Sequence, residues 1–341
     1  MKDTFKGKDI LVTGGAGSIG SEIVRQLLDY DVKRVRVLDN SESGLFHLEE
    51  ELCSSGKDYN KARYFVGDVR DLHRIRLAIE GVDIVFHAAA LKHVPLCEYN
   101  PYEAVKTNVL GTENVLEAAR DEGVEKLITI STDKAVNPIN TMGATKLLAE
   151  KITLNAGFGE FKTMFSCVRF GNVLNSDGSV IPIFKRQIAK GGPVTITADN
   201  MTRFFMSMSD AVSLVLKATE VMKGREIFIL KMNAIRITDL AEAMIEIMAP
   251  KFGHKPRDIK MTKIGKRPGE KLYEELLTEE EIKHVEEKED MYVLRPGRTV
   301  PGEVISDYEG KPGIPEYNSK TVKKLGKDEI KKVLERELKE Y

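Results

Sequence analysis

Three glycines near the amino terminus recur at a spacing that can hold phosphates. Gly14, Gly17 and Gly20 follow an apolar run over residues 10–13 that is typical of a buried strand. The first permits a tight turn, the second lets the backbone approach a pyrophosphate, and the third lets the next helix pack closely on the strand. That helix, predicted from Ser21 to Asp29, would point its amides and partial positive charge at the phosphates. The spacing therefore predicts a dinucleotide site formed by Gly14, Gly17, Ser18, Ile19 and Gly20.

Acidic and small residues at the ends of the next predicted strands extend this site. Asp39 ends the second strand, where a carboxylate takes the ribose hydroxyls of NAD and would repel the additional phosphate of NADP, so NAD is predicted in preference to NADP. Asp68, followed by Val69, is placed to accept from the adenine amino group, and Ala88 and Ala89 let a dinucleotide lie flat. Helix caps, turns and tight core packing are the structural alternatives for these residues.

An aspartate and a lysine stand side by side after the fifth predicted strand. Asp133 and Lys134 would face the dinucleotide there, and they offer an acid and a base within one loop. Met142 and Lys146 begin the following helix four residues apart, so they share one of its faces. An isolated surface lysine is usually only solvated, so the neighbouring Asp133–Lys134 pair carries the prediction of chemistry.

Composition narrows the possible partners. The chain has 341 residues, with 52 lysines and arginines against 53 aspartates and glutamates, so no global field would draw it to nucleic acid or to an anionic membrane. Its three cysteines show neither metal spacing nor a disulfide framework, which is typical of reduced thiols in the cytosol. No apolar run is long enough to cross a bilayer. We expect a soluble, unprocessed cytoplasmic protein with a small-molecule partner and no metal.

The elements that must position these residues follow an α/β pattern. Strand-like runs alternate with helical periodicity in the first half, which predicts a Rossmann-type, doubly wound parallel sheet with ligands beyond its carboxyl edge. We assign residues 1–170, with contributions from later segments, to the dinucleotide-binding domain, and residues 171–341 to a smaller C-terminal substrate-binding lobe. Within that lobe, Tyr292 to Asn318 is predicted to be an extended arm, followed by a terminal helix with an apolar face. The predicted strands cover residues 10–13, 35–38, 63–66, 84–87, 127–131 and 165–170.

Several blocks of the sequence resemble the extended short-chain dehydrogenase/reductases, a family of NAD(P)-dependent sugar-nucleotide enzymes. The resemblance is closer still to the polysaccharide-biosynthesis branch that contains UDP-N-acetylglucosamine 4,6-dehydratases. One departure from the wider family concerns its Tyr-x-x-x-Lys pair, which stands here as Met142 and Lys146, because a thioether has no proton to give up. The blocks that carry the resemblance are residues 13–20, 87–95, 106–112, 131–135, 142–146, 169–173, 201–204 and 267–272.

The resemblance implies a 4,6-dehydration of a UDP-hexose for surface polysaccharide or glycoprotein glycan synthesis. Hydride leaves C4, a proton leaves C5, the C6 hydroxyl departs as water, and hydride returns to C6. Neutral Lys134 would take the C5 proton and protonated Asp133 would donate to the leaving hydroxyl, with burial moving both pKa values in those directions. Lys146 would hold the nicotinamide ribose and Thr132 would orient the C4 hydroxyl. The acceptor of the C4 hydroxyl proton stays open between an ordered water and the Asp133–Lys134 pair.

Substrate contacts are predicted on later segments. Arg203 and Arg267 are candidates for the diphosphate, because a guanidinium binds phosphate oxygens with fixed geometry. Glu270 is a candidate for the uridine ribose. The resemblance adds Lys92, His93, Asn172, Ser179 and Val180. Each of these residues could instead be a structural ion pair, a cap or packing.

Two other functions stay open. A UDP-sugar 4-epimerase, acting on UDP-glucose or UDP-N-acetylglucosamine, begins with the same oxidation but returns hydride to C4. A non-catalytic dinucleotide sensor would account for the missing tyrosine, although the retained Asp133, Lys134 and both arginines argue against it. Relatives form dimers or hexamers, so a homo-oligomer is expected.

Overall fold

The order of strands and helices follows the alternating pattern of the sequence. The computed structural model describes residues 4–158, 162–174, 176, 179–266, 269–295, 298–300, 303–305, 314 and 316–337. The strands are β1 (Asp9–Thr13), β2 (Arg34–Asp39), β3 (Ala62–Val66), β4 (Ile84–His87), β5 (Lys126–Thr132), β6 (Met164–Phe170), β7 (Asn172–Val173), β8 (Val194–Ile196), β9 (Thr202–Met206), β10 (Ile227–Leu230), β11 (Asn233–Arg236), β12 (Met261–Lys263), β13 (Val285–Glu287), β14 (Met291–Leu294), β15 (Arg298–Val300) and β16 (Glu303–Ile305). The α-helices are α1 (Ser18–Leu27), α2 (Glu42–Ser54), α3 (Leu72–Ile79), α4 (Val94–Tyr99), α5 (Pro101–Val105), α6 (Gly111–Asp121), α7 (Thr141–Ala156), α8 (Val180–Ala189), α9 (Met208–Val221), α10 (Ile237–Met248), α11 (Glu279–Ile282) and α12 (Lys327–Glu337). None of the helices in these described ranges has the length and apolar character that crossing a membrane requires.

One large sheet carries the carboxyl edge at which the site was predicted. Its strand order is β13-β14-β10-β6-β5-β4-β1-β2-β3. Every pairing from β10 to β3 is parallel, whereas β14 pairs antiparallel with β10 and β13 pairs antiparallel with β14. The predicted α/β class with a Rossmann-type parallel sheet is therefore confirmed, and the antiparallel edge is an addition that the sequence pattern did not predict.

Apolar clusters lie on both faces of the sheet. On β1, Ile10 and Val12 belong to a buried cluster that includes Ile23 of α1, whereas Leu11 belongs to a second cluster with Ile75 of α3. Neighbouring residues of a strand point to opposite faces, so the continuous apolar run of β1 serves two cores. Because both faces of β1 are buried, the position of its carboxyl end is fixed, and so are the positions of the residues that follow it.

Helix α1 begins at Ser18, earlier than the predicted start at Ser21, and it ends at Leu27 instead of Asp29. Gly17 is the N-cap, with an extended backbone at φ −77° and ψ 168°. Because the first amides of a helix have no partner within the helix, the earlier start places the unpaired amide groups directly beside the glycine turn.

Residues after 170 build a second core and also return to the central sheet. Helices α8, α10 and α12 pack around one apolar cluster, to which α12 contributes the buried Ile330 and Leu334. Strands β10, β13 and β14 join the large sheet instead. Tyr292, the first residue of the predicted arm, is consequently buried in β14, because all four residues of that strand lie in the sheet's core. The division of the domains at residue 170 stays a prediction.

Arg169 ties the end of β6 to the segment that crosses the carboxyl edge. Its guanidinium donates to Glu150 of α7 at 3.0 and 2.7 Å, to Glu281 of α11 at 3.0 Å twice and to the Leu276 carbonyl at 2.9 Å. Arg169 and Glu150 each have side chains that are only 1% exposed. These hydrogen bonds of Arg169 form a clamp, the Arg169 clamp, which holds the chain just before α11 over the ends of β5 and β6.

Replacement of Arg169 by Met should lower the free energy of unfolding by about 3–5 kcal/mol, because it leaves the buried Glu150 carboxylate without its cation. Urea unfolding measures the loss. The matched control is Arg76→Met, since Arg76 pairs with Glu117 at 2.8 Å but is 49% exposed, and an exposed pair contributes only about 0–1 kcal/mol. Equal losses in the two variants would show that the Arg169 clamp does not hold the structure.

Candidate active site

The glycine turn between β1 and α1 forms one wall of an open cavity. Gly14 has φ +65°, and a Cβ built on it would lie 2.6 Å from the Ala89 amide nitrogen. A Cβ on Gly20 would lie 2.1 Å from the Gly14 carbonyl oxygen. Only glycine permits these approaches, so the backbone itself lines a cradle of the shape that a dinucleotide pyrophosphate requires. Predicted cofactor residues that line this cavity are Gly14, Gly17, Ser18, Ile19, Gly20, Asp39, Asp68, Val69, Ala88 and Ala89.

Two predicted acidic ligands also have structural partners. The Asp39 carboxylate accepts from the amides of Ala16 at 3.0 Å and Ser41 at 2.9 Å, which braces the glycine turn against the start of α2. Asp68 forms a bidentate pair with Arg70, and hydrogen bonding to Arg70 lowers the pKa of Asp68. Both carboxylates also line the cavity. Their contacts with a ribose and an adenine stay predictions, because the observed contacts of both side chains are structural.

Lys146 and Met142 on α7 have different surroundings. Lys146 Nζ donates to the Ile130 carbonyl at 2.7 Å, and burial lowers the pKa of Lys146 to about 8. Met142 is 3% exposed and packs with Cys97 and Ala104. It is not among the residues that line the two cavities described here. The thioether at the position of the family's tyrosine therefore fills a small apolar cluster, and its place in the catalytic machinery stays a prediction.

The loop after β5 brings an acid, a lysine and a hydroxyl together. Asp133 Oδ1 accepts from Lys134 Nζ at 2.9 Å and from Thr132 Oγ1 at 2.9 Å. The Asp133 side chain is 0% exposed, and that of Lys134 is 25% exposed. Asp133 Oδ2 is buried and has no hydrogen-bond partner among the described residues. A Cβ on Gly171 would lie 3.1 Å from this oxygen, so a glycine leaves room beside the second oxygen of the carboxylate.

The predicted direction of the Lys134 pKa is wrong. Burial alone lowers the pKa of Lys134, as predicted from the sequence, but the negative charges of Asp133 and Glu274 outweigh burial and raise it above its ordinary value. The lysine therefore carries its proton in the ligand-free protein. The sequence predicted the burial and the neighbouring Asp133, but not the approach of Glu274.

A second cavity lies between this loop and the C-terminal lobe, and its volume is about 1370 Å³ when the space open to solvent is included. Arg203 on β9 is 7% exposed and is held by the carbonyls of Thr202 and Lys271, each at 2.8 Å. Its guanidinium also lies 3.5 Å from Glu270. Predicted residues that line this cavity are Lys134, Asn172, Ser179, Val180, Arg203 and Glu270.

The remaining predicted substrate residues are placed differently. Lys92 and His93 line the glycine-turn cavity and are not in the lining of the second one. Arg267 lies outside the described residues. Lys271 and Glu274 line the second cavity but were not predicted. Their signal in the sequence was only their position within the charged block after residue 267.

Three buried polar atoms make the second cavity a candidate binding site. Asn172 Oδ1, Ser179 Oγ and Glu274 Oε2 are buried and lack hydrogen-bond partners among the described residues. Such atoms cost about 1–3 kcal/mol each when nothing satisfies them. Ser179 is also the N-cap of α8, whose partial positive end favours an anion. The cavity therefore combines a guanidinium, a helix N-terminus and unsatisfied polar atoms, which suits a large polar anionic ligand.

Comparison with known proteins places the chain in a family. The model of the family described as "Polysaccharide biosynthesis protein" matches residues 10–296. The chain belongs to this family. A protein of Methanocaldococcus jannaschii named as an uncharacterized membrane protein is 61% identical over 98% of this chain and 97% of its own length.

Two relatives carry names that state different activities. A UDP-N-acetylglucosamine 4,6-dehydratase (inverting) of Campylobacter jejuni is 44% identical over 86% of this chain and 84% of its own. A UDP-glucose 4-epimerase of Rickettsia akari is 40% identical over 97% of this chain and 96% of its own. The X-ray structure of Pen from Bacillus thuringiensis matches with a TM-score of 0.88 and 40% identity, over 97% of this chain and 98% of that chain. The resemblance to the polysaccharide-biosynthesis branch of the extended short-chain dehydrogenase/reductases is thus confirmed.

The stability of the ligand-free protein should depend on Lys146 above pH 8. The pKa of Lys146 is about 8 in the folded protein against 10.5 ordinarily, so between these values the unfolded chain binds a proton that the folded protein does not. The free energy of unfolding of the wild type should therefore rise with pH across this window. Relative to Lys146→Met, which has no amine at this position, the wild type should gain about 3 kcal/mol of stability.

Urea unfolding at a series of pH values measures this difference. Lys151→Met, on the exposed side of the same helix, controls for the loss of one lysine. If the difference in free energy of unfolding between wild type and Lys146→Met stays constant from pH 8 to 10.5, the pKa of Lys146 is not lowered by burial.

Proposed function

We propose that the protein is an NAD-dependent UDP-N-acetylglucosamine 4,6-dehydratase that forms a UDP-4-keto-6-deoxy sugar. The observation that carries the proposal is the contact of Lys134 Nζ with Asp133 Oδ1 at 2.9 Å, with Lys134 reaching a cavity suited to a nucleotide sugar. An elimination across C5 and C6 needs a base and an acid that act on neighbouring atoms. The named dehydratase relative at 44% identity supports the same reaction.

The glycine-turn cavity fits NAD by its shape and its charge. The backbone approach at Gly14 and Gly20 leaves space for phosphates, and Asp39 provides a carboxylate at the ribose end. NAD, when bound, supplies hydride chemistry by accepting hydride from C4 and returning it at C6. The protein's own residues must then manage the three protons at O4, C5 and O6.

The proton of the C4 hydroxyl has a path that needs no tyrosine. Thr132 Oγ1 already donates to Asp133 Oδ1 at 2.9 Å. A C4 hydroxyl that donates to Thr132 would pass its proton to Thr132 Oγ1. The threonine's own proton would move at the same time to Asp133 Oδ1. Asp133 thereby becomes the acid that protonates the C6 hydroxyl as the C6–O bond breaks. One proton thus travels from O4 to the departing water, and Met142 takes no part.

Lys134 would act at C5 once its amine is neutral. Oxidation at C4 acidifies the C5 proton, the Lys134 nitrogen takes that proton, and the C5–H electrons form the C5–C6 double bond as water leaves. A proton is returned to C5 after hydride reaches C6. Lys146 of α7, which is held at the Ile130 carbonyl of β5, would contact the nicotinamide ribose.

The second cavity would bind the UDP portion of the substrate. Arg203 and the N-terminus of α8 supply positive charge for the diphosphate. Asn172 and Ser179 present unsatisfied polar atoms there, and Glu270 accepts from the ribose in this proposal. The product would serve the synthesis of surface polysaccharide or of a glycan on protein, in keeping with the family's description.

A UDP-sugar 4-epimerase is the second candidate, because the epimerase relative is 40% identical over nearly the whole chain. The first oxidation at C4 is common to both reactions. An epimerase returns hydride to C4 and needs no acid and base at C5 and C6, so the Asp133–Lys134 contact favours the dehydratase.

UDP-N-acetylglucosamine that carries deuterium at C4 separates the two reactions. The dehydratase should move the deuterium into a new C6 methyl group, because hydride leaves C4 and returns to C6. Proton and deuterium NMR of the purified product measure its position. The same label without enzyme is the control. Deuterium that returns to C4 of an epimerised sugar, with no methyl signal, would establish the epimerase and overturn the proposal.

A further inference from the structure

The raised pKa of Lys134 leaves one step of the proposed function unexplained. A base at C5 must be neutral, yet Lys134 carries a proton in the ligand-free protein. Asp133 touches Lys134 but in the proposed reaction it receives the proton of the C4 hydroxyl. A second acceptor is therefore needed for the proton that Lys134 must lose. The inference that follows rests on the proposed function.

A second buried carboxyl group belongs to Glu274, which lines the same cavity as Lys134. Its side chain is 4% exposed, and both Glu274 and Lys134 line the cavity. Glu274 Oε1 lies 3.8 Å from Arg203 Nε, which is too long for a hydrogen bond. Glu274 Oε2 is buried with no hydrogen-bond partner among the described residues. One oxygen of this carboxyl group is thus available to accept a proton.

The backbone of Glu274 is fixed by the chain before α12. The Glu274 amide donates to Ser319 Oγ at 3.0 Å, and the Ser319 amide donates to the Glu274 carbonyl at 2.9 Å. Ser319 Oγ also hydrogen-bonds to Thr202 of β9. These contacts anchor Glu274 beside Arg203, so its position does not depend on a ligand.

The charges around Glu274 come from three segments. Asp133 and Lys134 belong to the loop after β5, Arg203 to β9, and Lys271 to the segment that carries Glu274 itself. Burial raises the pKa of Glu274, the negative charge of Asp133 adds to it, and the three cations offset only part of the effect. The carboxyl group therefore takes up a proton more readily than an exposed glutamate does.

We propose that Glu274 accepts the proton of Lys134, directly or through one water in the cavity, and so generates the neutral amine that acts at C5. The Nζ–H bond of Lys134 breaks, and an O–H bond forms on Glu274 Oε2. Lys134 changes from cation to neutral amine while Glu274 changes from anion to neutral acid, so the net charge of the site is unchanged. Glu274 keeps this proton while Lys134 takes the C5 proton.

This pairing predicts a specific pH profile. In the wild type the active form differs from the resting form only by a proton shift between Lys134 and Glu274, so the rate of methyl-product formation should be constant over the pH range in which the two groups share one proton. In Glu274→Gln, Lys134 must lose its proton to solvent. The rate of this variant should fall about 100-fold at neutral pH and rise about tenfold for each pH unit below the pKa of Lys134.

The measurement is the rate of methyl-product formation against pH, with C5-deuterated substrate to verify that proton removal at C5 limits the rate. Glu275→Gln is the matched control, because Glu275 neighbours Glu274 but pairs with Lys271 at 3.5 Å and does not line the cavity. It should keep the wild-type profile. Glu274→Asp, which retains a carboxyl group, should keep the flat profile at a lower rate, and it carries the test if Glu274→Gln does not fold.

With Glu274→Gln, two outcomes overturn the inference while the proposed function stands. One is a Glu274→Gln variant with the rate and profile of wild type. The other is a loss that is uniform at every pH, which indicates a structural role only. If Glu274→Asp alone folds, a rate that climbs with pH as for an isolated lysine counts against the inference. Wild-type protein that forms no methyl product at all would overturn the proposed function, and the inference with it.

Discussion

A buried ion pair at the end of β5 is the interaction on which the proposed chemistry of this protein depends. Asp133 is enclosed by the protein, and one of its oxygens is shared by the Lys134 amine and the Thr132 hydroxyl. Burial makes each charge costly without the other, so each of the two side chains stabilises its partner. The acid, the base and the hydroxyl that the proposed elimination requires are therefore already hydrogen-bonded to one another before substrate binds.

The rest of the fold brings two cavities to the edge of the sheet at which this contact lies. Parallel strands bring the glycine turn, Asp39 and the alanines after β4 to the same edge at which β5 ends. The Arg169 clamp and the contact of Ser319 with Glu274 hold the segment after residue 269 over that edge. Residues far apart in the chain thus contribute one guanidinium and two carboxylates, Arg203, Glu270 and Glu274, to the cavity that Lys134 faces. The second lobe is needed for the electrostatics of the site as well as for its shape.

Local features of this structure could be predicted from the sequence, and long-range features could not. The apolar strand β1, the glycine spacing and the Asp133–Lys134 neighbourhood depend on adjacent residues, so their patterns are visible in the chain. Tyr292 to Leu294 of the antiparallel strand β14 fall within the predicted arm because prolines and glycines dominate residues 292–318, and the pairing of β14 with β10 joins segments far apart in the chain. Glu274 has no signal in the sequence beyond its place in an acidic segment, because its contacts with Ser319 and Arg203 join segments far apart in the chain. The predicted direction of the Lys134 pKa shift was wrong for the same reason, because the sequence predicted the burial of Lys134 but not the approach of a second carboxylate.

A crystal structure with NAD and UDP-N-acetylglucosamine bound tests the central claim most directly. The account predicts the C4 hydroxyl within hydrogen-bond distance of Thr132 Oγ1, the C5 hydrogen facing Lys134 Nζ, and the C6 hydroxyl beside the Asp133 carboxyl group. The diphosphate should contact Arg203. A sugar that lies away from the Asp133–Lys134 contact, with these two side chains separated from its C5 and C6 atoms by protein, would contradict it.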